Sequence, residues 1–218
     1  TNSSKDVAGR IVWLPFRSTQ SPPGALNGLG FHIGGSIGSQ AGTLPTFRTS
    51  SLSTFFTYAT GAAASGHRHR ITPAVFYYYK SFGGFAEYVR SMQEISRSTS
   101  SYDVTNDGWG ITGSYVLTGE AASDRGVRPS RAFDPSAGKW GALQLAARYS
   151  HLSVDPLAFT SGLAAATASR KASAFTIVAN WYPVAFIKYY ATFERTSFDG
   201  GASRPTENVI LFRTQVAF

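Results

Sequence analysis

Polar and apolar residues alternate with a period of two along most of this chain, most cleanly at its carboxyl end. In residues 206–218, Ile210, Phe212, Thr214, Val216 and Phe218 fall on one face, and Val209, Leu211, Arg213, Gln215 and Ala217 on the other. Successive strand side chains point to opposite faces, so the segment reads as a strand with one apolar face and one face carrying an arginine and a glutamine. Its length of about ten residues, tilted, suffices to cross a bilayer. In 67–80 the set Ile71, Pro73, Val75, Tyr77, Tyr79 alternates with Arg68, Arg70, Thr72, Ala74, Phe76, Tyr78, Lys80. In 107–119, Trp109, Ile111, Gly113, Tyr115 and Leu117 do the same against Gly110, Thr112, Ser114, Val116 and Thr118.

The pattern predicts about ten strands: 6–17, 27–39, 50–60, 67–80, 84–96, 107–119, 139–154, 171–182, 184–198 and 206–218. The most helix-like stretch, 173–193, contains Asn180, Pro183 and Lys188 and is rich in β-branched and aromatic residues. An internal proline costs a helix about 3 kcal/mol, so two strands joined by a turn at 181–184 are expected there. A second tight turn is expected at 81–83. Short and long connections alternate, as in an antiparallel up-and-down meander. With Phe218 at one rim, parity puts both tight turns and the long polar connection 120–138, which has room for a short helical turn, at that rim. The loops 18–26, 61–66, 97–106, 155–170 and 199–205 then lie at the other. Tyr79, Phe82, Trp140, Trp181, Tyr182 and Phe218 are expected to gather at the first rim, and Trp109 and Tyr149 at the second, as girdles at two bilayer interfaces.

Composition sharpens this picture. Charged residues make up 15% and aromatics 14%, which suits a chain with one greasy and one wet surface. The net charge of +8 points to an anionic permeant or partner; the Lys and Arg are spread singly rather than in runs, against nucleic acid. The absence of cysteine excludes disulfides and thiolate metal sites. The chain begins at Thr1 without a recognisable signal peptide and reads as a mature chain, a processed product or a fragment.

Alternation places Arg10, Arg68, Arg70, Lys80, Arg148, Lys188 and Arg213 on wet faces, with Glu87 and Glu194 as acidic counterparts. Basic side chains along a lumen lower the energy of a partly dehydrated anion, and the arginine fork suits phosphate. At the bilayer midplane the same residues on the lipid face would cost about 2–4 kcal/mol. Arg10, Arg68, Arg70, Arg148, Lys188 and Arg213 are therefore the candidate anion pathway. Other chemistry is sparse. Gly34-Gly35-Ser36-Ile37-Gly38 matches a nucleophile-elbow pattern but lacks the strand-to-helix context, and His67 and His69 need further ligands to hold a metal. No enzyme, metal or cofactor is expected.

From Asp107 onward the chain resembles the phosphate-selective porin O and P family of bacterial outer-membrane channels. The matching stretches are GWGITGSYVLTGE (108–120), GALQLAARYSHLSV (141–154), NWYP (180–183) and ENVILFRTQVAF (207–218), with RIVWLPF and GGFAEYVR (83–90) less specific. The long connection after LTGE is also a habit of that family. The resemblance implies an all-β transmembrane antiparallel up-and-down barrel of sixteen strands in the Gram-negative outer membrane. It implies a surround of lipid and lipopolysaccharide, passage of inorganic anions such as phosphate, and assembly as a homotrimer. Residues 1–218 then form one transmembrane segment with no separate soluble domain. Some ten strands are too few for sixteen, so an amino-terminal portion or a partner chain is expected to complete the wall, since unpaired sheet edges in lipid cost several kcal/mol per polar group. In the family the constriction is built largely by the amino-terminal half. Two other readings stay open: a closed barrel acting as a structural anchor, and a soluble β-rich binder of acidic ligands.

Overall fold

The structure is a computed structural model describing residues 5–18 and 24–217. Its frame is one antiparallel sheet of nine strands in the order β1-β2-β5-β6-β7-β8-β9-β10-β11. The strands are β1 (Asp6–Trp13), β2 (Leu29–Gly42), β5 (Ala62–Tyr79), β6 (Phe82–Arg97), β7 (Ser100–Val116), β8 (Ala142–Ser153), β9 (Ser169–Val184), β10 (Ile187–Gly201) and β11 (Glu207–Val216). Two short strands, β3 (Phe47–Arg48) and β4 (Thr54–Phe56), pair with each other outside this wall. The α-helix α1 (Pro156–Thr160) lies between β8 and β9, capped by the Asp155 carboxylate accepting from Leu157 N.

The meander is as expected, with one strand fewer. Residues 50–60 do not enter the wall; they form the tip and return of a strap, residues 43–61, between β2 and β5. Phe55 and Phe56 are adjacent and both buried, which a strand exposed on one face cannot do. Removing one strand reverses the side of everything before it. The β1–β2 connection, including the described part of 18–26, therefore lies at the same rim as the tight turns. The Tyr77 hydroxyl donates to Ala25 O there at 2.9 Å. Strands also run further than periodicity indicates. The segment 61–66 is mostly β5, and 97–106 is a two-residue turn at 98–99 followed by β7. The turns expected at 81–83 and 181–184 fall at 80–81 and 185–186. Hereafter the lower rim is the one with residues 80–81, 117–141 and 185–186, and the upper rim the one with 43–61, 98–99, 154–168 and 202–206.

Register fixes the two faces. The outer face carries Ile11 and Trp13 of β1, Ile33 and Ile37 of β2, Ile111 and Tyr115 of β7, Leu145 of β8, Ile177 of β9, Phe193 of β10 and Phe212 of β11, all well exposed; Ile11 is 70% and Phe212 81% accessible. On β9 this apolar belt runs from Trp181 to Phe175, on the order of 20 Å along the strand, close to the band a barrel presents to lipid. Above it the same face turns polar at Asp107, His151 and Lys171, and Arg195 stands level with Phe175 at its edge. Trp109 and Tyr149, with ring centroids 5.5 Å apart, stand at that border. At the lower border Trp181 stacks on Tyr189 (5.5 Å) and meets Phe133 edge-on (5.2 Å), while its indole N–H donates to Trp140 O at 2.7 Å. Tyr182 is a correction: it points inward and is only 5% exposed. Phe218 lies outside the described residues.

Among the described residues the sheet is not closed and sixteen strands are not seen. Nine antiparallel strands leave β1 and β11 running in the same direction, so these edges cannot meet as an antiparallel pair. The described residues thus form an open nine-stranded wall, one strand fewer than expected, with β1 and β11 at its edges.

Candidate anion pathway

Both ends of the inner face are narrowed by chain that folds back over it. At the upper rim the strap crosses from β2 towards the β10–β11 turn. Phe55, Phe56, Leu163, Ala158 and Ala168 form a buried core with Ile95 of β6, Val104 of β7 and Val154. Tyr58 bridges to Ala164, and Ala59 N donates to Leu163 O at 2.7 Å. The strap tip is clamped by two residues far along the chain. Arg204 Nη1 donates to Thr54 O at 2.6 Å, and its other nitrogen meets Ser53 Oγ and, at 3.0 Å, Glu207 Oε1. Glu207 in turn accepts from Thr49 Oγ1 (2.9 Å) and Ser51 Oγ (3.2 Å). At the lower rim, residues 117–141 lie against Val116, Ala142, Tyr78 and Tyr182 through Ala122 and Val127, tied by Ala122 N to Lys80 O (2.7 Å) and Phe133 N to Pro183 O (2.7 Å). The short helical turn expected in this connection is the 3-10 segment Pro135–Ala137.

Between these two constrictions lies a cavity of about 700 Å³ lined by Arg68, Arg70, Glu87, Arg148, Thr176 and Glu194 among others. Register sets out this lining. Asp6 faces Gly38, Gly38 faces Arg68, and Arg68 faces Gln93; the missing side chain at Gly38 lets the Arg68 guanidinium reach the Asp6 carboxylate, while it also donates to Gln40 Oε1. Four inner-face positions further towards the lower rim, Arg148 faces Thr112 and Thr176, and Thr176 faces Glu194. Arg148 leans over Gly110, where a Cβ would sit 3.3 Å from its Nη2, and comes within 3.6 Å of Glu87.

All six candidate residues share the inner face, but they do not form one cluster. Arg68, Arg70 and Arg148 line the cavity. Arg10 stands apart on β1, opposite Gly34. Lys188 and Arg213 form a separate shelf near the lower rim. The Lys188 ammonium lies 5.4 Å from the Tyr182 ring centre and 5.0 Å from that of Tyr190, and Arg213 lies over Tyr190 at 5.9 Å. Cation–π contacts of this kind hold a cation without neutralising it. Lys80, also expected on a wet face, is an exposed turn residue with φ 50°. Periodicity gave no sign of Arg48, carried on the strap into the cavity lining, nor of the Arg204–Glu207 clamp. The only local cue to the latter was an opposite-charge pair three residues apart. In the strap, burial pushes the Tyr58 hydroxyl pKa up, against the effect of its bond from Asn106 Nδ2 at 3.4 Å. Among the described residues no His, Asp or Glu group is arranged to hold a metal; His67 instead bridges Glu94 (2.9 Å) and Asp103 (3.2 Å).

Comparison with curated proteins gives no match. The family model for phosphate-selective porin O and P matches residues 51–218, spanning the strap tip and all seven wall strands that follow it. The chain therefore belongs to the phosphate-selective porin O and P family of bacterial outer-membrane channels.

Proposed function

We propose that the inner face is one wall of a water-filled pathway through which small anions, inorganic phosphate among them, diffuse passively, and that Arg68, Arg70 and Arg148 bias it towards anions. The observation that carries this reading is that these three arginines line one cavity, behind a wall whose opposite face is an apolar belt. A planar, always-charged donor fork replaces water around phosphate without itself deprotonating. Arg10, Lys188 and Arg213 extend the positive potential along the face towards the β1 edge and the lower rim. The free edges of β1 and β11 support completion of the barrel by further strands, from the same polypeptide or a partner chain, within a homotrimer surrounded by lipopolysaccharide. The test is the reversal potential of the purified outer-membrane protein in a planar bilayer under a salt gradient. Replacing Arg68, Arg70 and Arg148 together by Ala is expected to move it several-fold in permeability ratio towards cations; an unchanged ratio removes these residues from the pathway. The packed strap favours a second reading, a closed barrel serving as an anchor, which predicts no conductance in the native protein.

A further inference from the structure

The cavity between the two constrictions is far larger than a phosphate ion, and much of its lining is hydrocarbon. The strap supplies Leu44, Phe47 and Phe55, with Phe47 stacked on the buried Phe56 at 5.4 Å between ring centres. The wall supplies Val89, Leu152 and Ala172 on one register row: Val89 faces Gly108, Gly108 faces Leu152, and Leu152 faces Ala172. With no side chain at Gly108, that row is a shallow apolar trough. Organic ligands occupy sites of this build, about 300–1,000 Å³ in volume and mostly apolar, with a few polar groups to orient them.

The orienting group is Arg70. One inner-face position above the trough, Arg70 faces Ser91 and Ser91 faces Asn106. Asn106 Nδ2 donates to the Tyr58 hydroxyl at 3.4 Å, so the strap comes down onto the row that carries Arg70. Arg68 is paired with Asp6 and Arg148 with Glu87. Among the described residues Arg70 has no carboxylate partner. Glu194, the buried carboxylate of the cavity, lies three inner-face positions nearer the lower rim and five strands further along the wall. An inorganic anion meets the arginine and gains nothing from the trough. An apolar body gains in proportion to the surface it withdraws from water.

Resting on the anion-pathway reading, we infer that this cavity takes organic anions, a phosphate or carboxylate carried on an aromatic or alkyl body. The anionic group lies on Arg70, and the body lies between Phe47 of the strap and the trough of Val89, Leu152 and Ala172.

The test compares methyl phosphate with phenyl phosphate as blockers of chloride current through the purified outer-membrane protein. At about pH 8 both are dianions, since the second pKa of a phosphate monoester is about 6, so they differ chiefly in the apolar body. The native pore is expected to be blocked on the order of tenfold more strongly by phenyl phosphate. Phe47→Ala is expected to cut that preference to about threefold or less, and Arg70→Gln to weaken block by both ligands alike. Equal block by the two ligands, or block by neither, overturns the inference; the pathway reading stands if the reversal potential is still anion-selective and falls if it is not. Block unchanged in Arg70→Gln overturns the assignment of the anionic end. Should Phe47→Ala loosen the strap, Val89→Thr repeats the test from a wall strand, and the native comparison needs no variant. A preference kept intact in both variants overturns the placement of the body.

Discussion

The strap at the upper rim and the connection 117–141 at the lower rim both narrow the same inner face, but they are held in different ways. The strap has its own aromatic core, with Phe56 and Leu163 wholly inaccessible, and its tip is locked by side chains some 150 residues away. The lower connection buries little beyond Ala122 and Val127. Much of its order comes from within, as where Glu120 accepts from Thr118 Oγ1, Ser130 N (3.1 Å) and Ser130 Oγ (3.0 Å). A segment held by apolar packing opens only with the structure around it, whereas one held by exposed hydrogen bonds opens locally and at low cost. The upper constriction is thus the rigid one and the lower connection the adaptable one.

The largest test of that contrast is Phe56→Ala. It leaves a cavity in the strap core and is expected to cost about 3–5 kcal/mol locally. This is read as loss of amide-exchange protection across 43–61 and 154–168, with the wall strands and residues 117–141 unchanged. Equal loss at both rims would show the two segments to be one cooperative unit. Arg204→Ala comes next. It removes the donors to Thr54 O and Ser53 Oγ and leaves Glu207 without its cation, a loss of about 1.5–3 kcal/mol for hydrogen bonds to a charged group. Exchange should rise at 49–54 alone, while the Phe55–Phe56 core stays protected; rapid exchange throughout 43–61 would mean that the clamp, not the core, holds the strap.

The smallest effect concerns pH at the lower rim. Partial burial works to raise the Glu120 pKa, but the donors from Thr118 and Ser130 outweigh it and hold the carboxyl below its ordinary range. The folded state therefore binds this proton less readily than the unfolded state. The resulting stabilisation of 117–141 is fully present above about pH 5 and fades as pH falls below about 4. Protease cleavage in 121–131 should accelerate on acidification through that window, and Glu120→Gln should reduce that acceleration, leaving the part due to Asp134, whose carboxyl the Ser136 hydroxyl and Ala137 N–H also hold below its ordinary range. The strap tip should weaken in the same direction, because partial burial of Glu207 is outweighed by donors from Ser53, Thr49, Arg204 and Ser51 that hold its carboxyl below the ordinary range.

Much of the wall was legible because strand periodicity is so short. Once Arg68, Arg70 and Arg148 alternate with Ile71 and Tyr149, parity alone puts them opposite the greasy face. The same logic could not separate a wall strand from the strap. Residues 50–60 carry aromatics and small polar residues like their neighbours, and only the adjacent pair Phe55-Phe56 hints at burial on all sides. Tyr182 was misread because a tyrosine beside Trp181 suits a rim girdle, although its even number already put it on the same face as Asn180. Strand lengths escaped too: β6 and β7 continue beyond the belt, where Arg90 and Asp107 break the apolar pattern without ending the hydrogen-bonded ladder.

By itself the sequence determined what alternation can encode: an antiparallel wall, an apolar outer belt with aromatic borders, and a set of arginines facing the other way. These depend on neighbours two residues apart, so local order suffices. Tertiary structure alone decided which segment leaves the wall, which rim each connection occupies, and which charges are spent on one another. Asp6 pairs with Arg68, Arg204 reaches back to Ser53, and Glu194 accepts from two hydroxyls with no cation beside it among the described residues, because each of these outcomes depends on strands or loops brought together from distant parts of the chain.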